Sequence, residues 1–296
     1  MPLDSVAGRA FLLFQRLLPQ HLSTALFRRL AHVRIVPVKN ALIRAFVRAF
    51  DVELEDVDRA VPDGFEHFNA FFTRELAPGA RPVDPSATAV VSPCDGTTSA
   101  AGRAERGRLL QAKGSYYGLD DLLATDLDEA AAFENGEFAT FYLAPYDYHR
   151  VHSPLAAELV SASYVPGALY SVNDRTVRLL PRLFVRNERL VLRFRTATGP
   201  MIVVLVGALN VGSITTPWTG TVRPRARGVV ERLPIDGAPP AVAKGELIGW
   251  FNMGSTVIVL LPPGTCEWRD DLVPGKRVRM GEAIGRLRVA VAEHPA

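Results

Sequence analysis

Three short segments, far apart along the chain, carry the residue types that nucleophilic catalysis needs. Asp95 lies in a Ser-Pro-Cys-Asp-Gly segment, and His149 and His152 lie together in a Tyr-His-Arg-Val-His segment. Ser255 follows Gly254 near the end of the chain. A carboxylate, an imidazole and a hydroxyl can together activate a serine oxygen. The residue types therefore indicate serine chemistry, although each segment alone is weak evidence.

Gly-Ser pairs occur at positions 114–115, 212–213 and 254–255. Only the last is followed by Thr256 and then directly by an apolar run typical of a strand. The Gly-x-Ser-x-Gly turn of α/β-hydrolases is absent. A simple turn remains an alternative for each pair, so the pairs do not identify a nucleophile.

The two histidines could also suggest a metal site. Their spacing of three residues brings side chains together in a helix or turn, but places them on opposite faces of a strand. Pro145 and Pro154 flank them and argue against a helix. No acidic or cysteine partner stands at a metal-motif spacing. We therefore predict no metal at His149 or His152, and a buried, hydrogen-bonded imidazole is the alternative for either residue.

Length and composition describe an ordinary globular chain. Its 296 residues, 48% apolar and 22% charged, are enough for one large domain or two small ones. Cys94 and Cys266 are the only cysteines, which excludes a disulfide framework or a zinc-finger spacing and favours a reducing, cytoplasmic-side location. Asp4 and Pro19 interrupt the pattern of a secretory signal, so we expect none.

From about residue 88 the sequence predicts short strands separated by glycine and proline turns. The run 201–214 is predicted as buried strands rather than a membrane helix, and one helix is expected around 119–127. The sequence Gly-Glu-Leu-Ile-Gly at 245–249 is echoed by Gly-Glu-Ala-Ile-Gly at 281–285, which resembles the hairpins of lipoyl-type barrels. The fold class expected is α+β, mainly β, with a barrel-like or sandwich-like core.

The first fifty residues differ from the rest in charge and pattern. They hold eight basic residues and one acid, a net charge of 8 − 1 = +7, so the remaining residues sum to 3 − 7 = −4. Amphipathic helices are predicted over 9–30, broken near Pro19, and over 40–50, and none has the twenty apolar residues needed to span a bilayer. A basic arm rich in Leu and Phe favours an anionic membrane surface over nucleic acid. A helical cap packed on the core is the alternative.

The remaining segment, 51–82, is predicted to be a helical connector. It contains Phe65, Phe68, Phe71 and Phe72, four aromatic side chains in eight positions, which are more typical of a core than of a ligand site. The chain thus divides into a helical, basic region and connector over 1–82 and a β-rich catalytic domain over 83–296.

Taken together in their order, the motifs make the chain resemble the bacterial phosphatidylserine decarboxylases. The resemblance runs from the connector to the C-terminal strand and rests on Phe71-Phe72-Thr73-Arg74-Glu75-Leu76, Ser92-Pro93-Cys94-Asp95-Gly96, Lys113-Gly114, Tyr148-His149-Arg150-Val151-His152, Tyr164-Val165-Pro166-Gly167, Ser171-Val172-Asn173, Gly207-Ala208, Val211-Gly212-Ser213-Ile214 and Gly254-Ser255-Thr256. One departure is Met253, where the family's processing site commonly has Leu. The two side chains are similar in volume, so we expect little consequence.

The resemblance implies a proenzyme that cuts itself between Gly254 and Ser255. His152, oriented by Asp95, would be the base toward the Ser255 hydroxyl, and the cut would leave a large subunit, 1–254, and a small one, 255–296. Ser255 would become a covalent pyruvoyl group, which forms a Schiff base with the substrate amine and replaces an added cofactor. His149 is the candidate proton donor to the α-carbon, or a donor to the substrate carboxylate, and His152 is the rival.

The same resemblance implies decarboxylation of phosphatidylserine to phosphatidylethanolamine and CO₂, in phospholipid biosynthesis. The expected partners are phosphatidylserine in an anionic membrane and the two self-derived subunits, which associate as a heterodimer and, in bacterial family members, as a dimer of such units. The expected location is peripheral, on the cytoplasmic side of the cell membrane, with no nucleic acid bound. Alternatives are a same-family decarboxylase of a soluble amino acid, a membrane-binding module with an inactive processing site, and an unprocessed serine hydrolase.

Overall fold

The computed structural model describes residues 6–112, 114–125, 127–209, 213–235, 237–252 and 254–288. Met253, whose identity departs from the family's usual processing site, lies outside these ranges. The helices are Val6–Leu17 (α1), Gln20–Ala31 (α2), Val36–Phe50 (α3), Phe68–Phe72 (α4), Leu119–Leu123 (α5), Leu127–Ala131 (α6), Asp174–Leu179 (α7) and Leu183–Arg186 (α8).

The strands dominate from residue 89 onward. They are Ala89–Val91 (β1), Gly96–Arg103 (β2), Arg108–Ala112 (β3), Ser115–Gly118 (β4), Glu137–Leu143 (β5), Arg150–His152 (β6), Ala157–Val165 (β7), Arg189–Thr196 (β8), Gly199–Val206 (β9), Ile214–Thr216 (β10), Gly220–Val222 (β11), Glu231–Leu233 (β12), Ala241–Val242 (β13), Leu247–Phe251 (β14), Ser255–Leu261 (β15), Cys266–Trp268 (β16), Arg277–Val278 (β17) and Ala283–Leu287 (β18). The prediction of a mainly-β, α+β fold preceded by helices is confirmed.

One large antiparallel sheet forms the body. Its strand order is β12-β7-β8-β9-β15-β5-β2-β17, with β13 also paired to β7. Since β12 and β17 are at opposite ends of this order, the sheet is open rather than a closed barrel. Smaller sheets have the orders β11-β10-β14-β6, β1-β18-β16 and β3-β4.

The centre of the large sheet explains the longest apolar run of the sequence. Strand β15 is buried at all seven positions, and β9 is buried over its last six. Strands buried on both faces carry continuous apolar residues rather than an alternating pattern. The apolar residues from 201 onward accordingly form β9 and later β10, as predicted.

The connector and one helix differ from expectation. Within 51–82, the structure has a single short helix, α4, and otherwise turns and extended chain. Its phenylalanines nevertheless form a core with α3, since Phe46 packs edge-on against Phe68, Phe71 and Phe72. The helix expected over 119–127 is two short helices, α5 and α6, because Ala124 adopts a left-handed conformation that ends the first.

The N-terminal helices dock on the β-rich body through two glutamines. The side-chain oxygen of Gln15 accepts a hydrogen bond from the Ser171 amide at 2.8 Å, and that of Gln20 accepts one from the Leu169 amide at 2.8 Å. Separate from the main core, the buried apolar residues of this region form a smaller cluster: Ala31, Ile43, Val52, Phe65, Phe68, Phe71 and Phe72. None of the helices in the described ranges combines the length and apolarity needed to cross a bilayer.

The internal repeat places two glycines against one segment. Gly245 and Gly281 both have positive φ, and each precedes a strand, β14 and β18 respectively. A Cβ on Gly245 would lie 2.4 Å from a methyl carbon of Val83, and one on Gly281 would lie 2.6 Å from the Pro82 carbonyl oxygen. Both glycines of the repeat therefore pack against the segment 82–83, where the β-rich body begins. The strands that follow them, β14 and β18, pair with other strands and not with each other.

Candidate active site

Ser255 is the first residue of β15, at the centre of the large sheet. It pairs with Leu143 of β5, and its side chain is buried. Among the residues that the structure describes, its hydroxyl oxygen has no hydrogen-bond partner. A buried polar atom without a partner is costly, and in a native protein it calls for an explanation. No described hydrogen bond has to be broken before the Ser255 hydroxyl acts as a nucleophile.

Gly254 lies on the wall of an apolar groove of about 470 Å³. The groove is lined by helices α2, α3 and α4 and by Pro145, Leu209 and Gly254. A Cβ built on Gly254 would contact nothing within 4 Å, and its φ lies outside the left-handed region. The uncut chain therefore shows no backbone strain of the kind that would by itself require glycine, and the open groove leaves the bond at 254–255 accessible.

His149 lies just before β6, and its side chain is fully buried against Phe72, with ring centroids 4.0 Å apart. Its Nδ1 lies 2.8 Å from the Asp147 carbonyl oxygen, which can only accept, so Nδ1 carries the hydrogen. Its Nε2 then carries no hydrogen, and this buried atom has no hydrogen-bond partner in the described part of the chain. Burial, assisted by the positive charge of Arg74, lowers the pKa of His149 to about 3.

His152 ends β6 and has a different environment, as expected for two positions on opposite faces. Its Nδ1 lies 2.9 Å from the Gly245 carbonyl oxygen, so this nitrogen also carries the hydrogen. Its Nε2 accepts from the Tyr148 hydroxyl at 3.0 Å. Burial lowers the pKa of His152, while the Gly245 hydrogen bond and the charge of Asp95 oppose the decrease. His152 is therefore a neutral base. The lone pair of its Nε2 accepts one hydrogen bond, from the Tyr148 hydroxyl.

Asp95 is buried and held by two neighbours. Both of its oxygens accept from the Arg81 guanidinium at 2.7–3.0 Å, and one also accepts from the Met280 amide at 2.8 Å. Arg81 also binds Asp56. Burial alone would lower the pKa of Arg81, but its hydrogen bonds to these two carboxylates raise it.

The structure places Asp95 close enough to His152 to act on it by charge, and no hydrogen bond within the described residues links either of them to Ser255. Over the described ranges, no hydrogen bond joins Asp95 to His152 either. Asp95 and Tyr148 line a polar cavity of about 660 Å³ that also includes Arg74 and Arg277. The neighbours of the base and of the nucleophile line two distinct cavities: Tyr148, which binds His152, lines the polar cavity, and Gly254, which precedes Ser255, lines the apolar groove.

Two residues that the sequence did not single out, Tyr148 and Asn252, position this site. The Asn252 side chain donates to Ser213 Oγ at 2.9 Å and to Thr215 at 2.8 Å, and it accepts from Asn69 of α4 at 3.0 Å. Asn252 thereby holds the chain just before the Gly254–Ser255 bond. Tyr148 directly precedes His149, and Asn252 lies two residues before Gly254, so adjacency to a candidate was the only signal for them.

Comparison with known proteins identifies the family. The model of the family described as "Phosphatidylserine decarboxylase" matches residues 68–286, and a second model, described as "PSD", matches residues 10–51. The chain belongs to the phosphatidylserine decarboxylase family. The two matches cover both the N-terminal helices and the β-rich body, including every candidate residue of the site.

Relatives of this family align over almost the whole chain. A phosphatidylserine decarboxylase proenzyme of Azotobacter vinelandii is 50% identical over 284 residues, which cover 95% of this chain and 99% of the relative. Proteins with the same description from Nitrosococcus oceani and Methylococcus capsulatus are 47% and 46% identical, covering 94% and 97% of this chain and 92% and 100% of the relatives. The family resemblance inferred from the motifs is confirmed.

Proposed function

We propose that this chain is a phosphatidylserine decarboxylase made as a proenzyme, which cuts itself at the Gly254–Ser255 bond and then converts phosphatidylserine to phosphatidylethanolamine and CO₂. The observation that carries the proposal is the position of this bond. It joins the wall of an apolar groove to a buried serine hydroxyl without a partner. A lipid substrate needs the groove, and self-cleavage needs the unpartnered hydroxyl.

In the cutting reaction, His152 Nε2 takes the proton of the Ser255 hydroxyl, and the negative charge of Asp95 favours the imidazolium that forms. The Ser255 oxygen attacks the Gly254 carbonyl carbon, and the peptide bond is replaced by an ester. Loss of the Ser255 α-proton breaks the bond between the β-carbon and that oxygen. Gly254 leaves as a carboxylate, and water replaces the nitrogen of residue 255, which departs as ammonia.

Residue 255 fits the pyruvoyl group that these steps would produce. The hydroxyl that would be lost makes no hydrogen bond, so its removal breaks no described polar contact. When present, the pyruvoyl ketone supplies an electron sink for the electrons left behind by CO₂. Strand β15 lies between β5 and β9, so fragment 255–296 stays hydrogen-bonded to fragment 1–254 after the cut.

His149 is suited to move one proton within this site. At neutral pH its Nε2 carries no hydrogen, because burial lowers the pKa of His149 to about 3, so it can accept a hydrogen bond from the amine of the substrate's serine headgroup. An imidazolium in this buried place is a strong acid. We therefore propose that a proton taken up from solvent passes through His149 to the substrate α-carbon after CO₂ has left.

The apolar lining of the groove favours a lipid substrate over a soluble amino acid. Its lining includes Phe27, Leu42, Phe46 and Phe68, and it has the size of a small-molecule site. A free amino acid offers nothing that such a surface would bind, whereas an acyl chain does. Turnover of free serine at a rate comparable with phosphatidylserine in vesicles would contradict the lipid assignment.

The outer face of the N-terminal helices supports peripheral binding to an anionic membrane. Large apolar side chains are exposed there, including Leu17 at 76%, Leu22 at 69% and Leu26 at 68%. The basic residues Arg9 and Arg29 are also exposed. Each basic group near an anionic surface contributes about 1 kcal/mol. We propose that this face holds the groove at the surface of the cytoplasmic side of the cell membrane.

Replacing Leu17, Leu22 and Leu26 by Asp should weaken binding to vesicles that contain an anionic phospholipid. The substituted side chains are already in solvent, so folding should be unaffected while apolar contact with the membrane is lost. Vesicle co-sedimentation measures the effect, and high salt should weaken binding of the unchanged protein. The matched control replaces Val229 and Val273, which are exposed elsewhere, by Asp. Equal binding of both variants would contradict the membrane role of this face.

Intact-mass spectrometry of the purified protein tests the central proposal. Two polypeptides should be found, residues 1–254 and residues 255–296. The second should be lighter by one ammonia than a fragment beginning with serine, since a ketone replaces the amino group. A single chain of 32.3 kDa, or a small fragment with an ordinary serine at its start, would contradict the proposal.

A further inference from the structure

A carboxyl group outside the expected set lies at the C-terminal end of the loop that precedes β8. Glu188 is only 1% exposed. Within the described residues, its carboxyl accepts a hydrogen bond from the Tyr164 hydroxyl at 2.7 Å and forms no ion pair. Burial raises the pKa of Glu188 to about 7, against the opposing effects of Tyr164 and Arg225. At neutral pH a substantial share of this group is therefore the neutral acid.

The strand register aligns Glu188, Gly207 and Ser255 in one row across three neighbouring strands. The Gly207 amide donates to the Glu188 carbonyl at 2.9 Å, so these two residues are opposite each other. On the other side, Val206 pairs with Thr256, and continuing that antiparallel register by one residue sets Gly207 opposite Ser255. Directly opposed residues have their side chains on the same face of the sheet.

Gly207 lies between Glu188 and Ser255 in that row, and because it has no side chain it leaves space above the sheet. The Cγ and Oε1 atoms of Glu188 each lie 2.8 Å from the place where a Cβ of Gly207 would be. The carboxyl therefore lies over Gly207, in the space between its own strand and that of Ser255. Because Gly207 uses its amide toward Glu188, its pairing with Ser255 is of the type without hydrogen bonds, in which opposed Cα atoms are about 4.5 Å apart.

The hydrogen bonds also decide which oxygen carries the acid proton. The Arg225 amide donates to the Tyr164 oxygen at 2.8 Å, so the single Tyr164 hydrogen points to Glu188 Oε2. Oε2 is thus an acceptor. Because the Tyr164 hydrogen occupies Oε2, we place the proton of the neutral carboxyl on Oε1, which is the oxygen beside Gly207.

We propose that Glu188 is a further catalytic acid of this site, which gives its Oε1 proton to the oxygen on the α-carbon of residue 255. The proposal rests on the function proposed above, in which that carbon becomes a ketone. When the substrate amine bonds to this carbon, the carbon–oxygen bond breaks and the oxygen leaves as water with the Glu188 proton. When water later displaces the product amine, the Glu188 carboxylate takes a proton back. Glu188 thus ends the cycle in the protonation state in which it began, while the proton that replaces CO₂ on the substrate α-carbon comes from solvent, one for each CO₂ released.

The charged and titratable groups around Glu188 set the expected pH dependence. Tyr164 comes from β7, and Arg225, which precedes β12, places its guanidinium over the Tyr164 ring and pairs with Glu231. The reaction needs neutral Glu188, so its rate should fall as pH rises through the pKa of this group. Tyr164→Phe removes a hydrogen bond that favours the carboxylate, and should move this fall to higher pH.

The test compares Glu188→Gln with the unchanged protein. We expect Glu188→Gln to be cut normally and to show the unchanged mass of fragment 255–296. Addition of methoxyamine to residue 255, followed as a mass gain of that fragment, should be slower by roughly 10²-fold. The fall in rate at high pH should disappear. Independently of activity, infrared difference spectra of the uncut Ser255→Ala protein should show a carboxyl that titrates near pH 7, absent when Glu188→Gln is added.

Glu137→Gln is the matched control. Glu137 lies in the same sheet, opposite Leu261 at the far end of β15, and burial raises its pKa as well. This variant should leave cutting and methoxyamine addition unchanged. Should Glu188→Gln be unstable, Glu188→Asp keeps the acid one bond further away and should show an intermediate rate with the fall at high pH retained.

Three results would overturn the proposal for Glu188. They are methoxyamine addition at the unchanged rate, an infrared carboxyl band that survives Glu188→Gln, and a folded Glu188→Gln or Glu188→Asp chain that is not cut. Failure of the proposed function would look different, because the unchanged protein would then lack the ketone mass.

Discussion

Ser255→Ala should yield one uncut chain of 32.3 kDa without decarboxylase activity. The variant lacks the oxygen that attacks the Gly254 carbonyl, so the loss should be complete rather than partial. It should fold at least as well as the unchanged protein, because the hydroxyl removed is buried and has no hydrogen-bond partner. A denaturing gel and thermal unfolding together measure both expectations.

Ser115→Ala is a close control for this variant. Ser115 also follows a glycine, and its hydroxyl is also buried without a partner, but it lies in β4. It should be cut and active. A Ser255→Ala protein that still separates into two fragments would show that residue 255 is not the nucleophile.

The two histidines should separate cutting from turnover. His152→Ala should remain a single chain, because it removes the base toward the Ser255 hydroxyl. His149→Ala should be cut, but decarboxylation should be slower by roughly 10²-fold or more, since a positioned proton donor is lost. Gel analysis measures the first effect, and CO₂ release from phosphatidylserine vesicles measures the second. His32→Ala is the control, because His32 is exposed and its side chain lies beside the Arg28 carbonyl of α2 and the His67 ring, away from the candidate residues.

The pH dependence of cutting follows from the state of His152. Cutting needs its neutral form, and burial lowers its pKa below the ordinary value of about 6.5. The neutral form therefore prevails through neutral pH, and cutting should slow only as acid protonates the imidazole. Cell-free synthesis at a series of pH values, followed by gels, measures this. Equal cutting of His152→Ala and the unchanged chain would remove His152 from the reaction, and normal turnover by His149→Ala would remove His149.

The β-rich body was predictable because its strands carry strong local signals. Short strands separated by glycine and proline turns were expected from about residue 88, and the first strand of the body, β1, begins at Ala89. The connector 51–82 was predicted less well. Its phenylalanines were correctly assigned to a core, but that core is built by packing against α3, and packing does not require the segment to be helical.

The candidate residues were predictable for a different reason. Asp95, His149, His152 and Ser255 stand in motifs whose order is specific to one family, and the family is confirmed over most of the chain. The partners of these residues carry no such signal. The hydrogen bond from Tyr148 to His152, and the one from Asn69 to Asn252, join atoms whose meeting depends on how α4, β6 and β14 pack.

The sequence by itself determined the family, the expected bond at 254–255 and the amphipathic character of the first fifty residues, because each of these is written in residue order and periodicity. Only the tertiary structure decided which nitrogen of each histidine carries no hydrogen, which face of the N-terminal helices stays exposed, and that Glu188 lies across Gly207 in the row of Ser255. These facts arise from strand register and burial. Register joins residues 188, 207 and 255 across three strands, and burial sets the proton affinity of a side chain through neighbours that are distant along the chain.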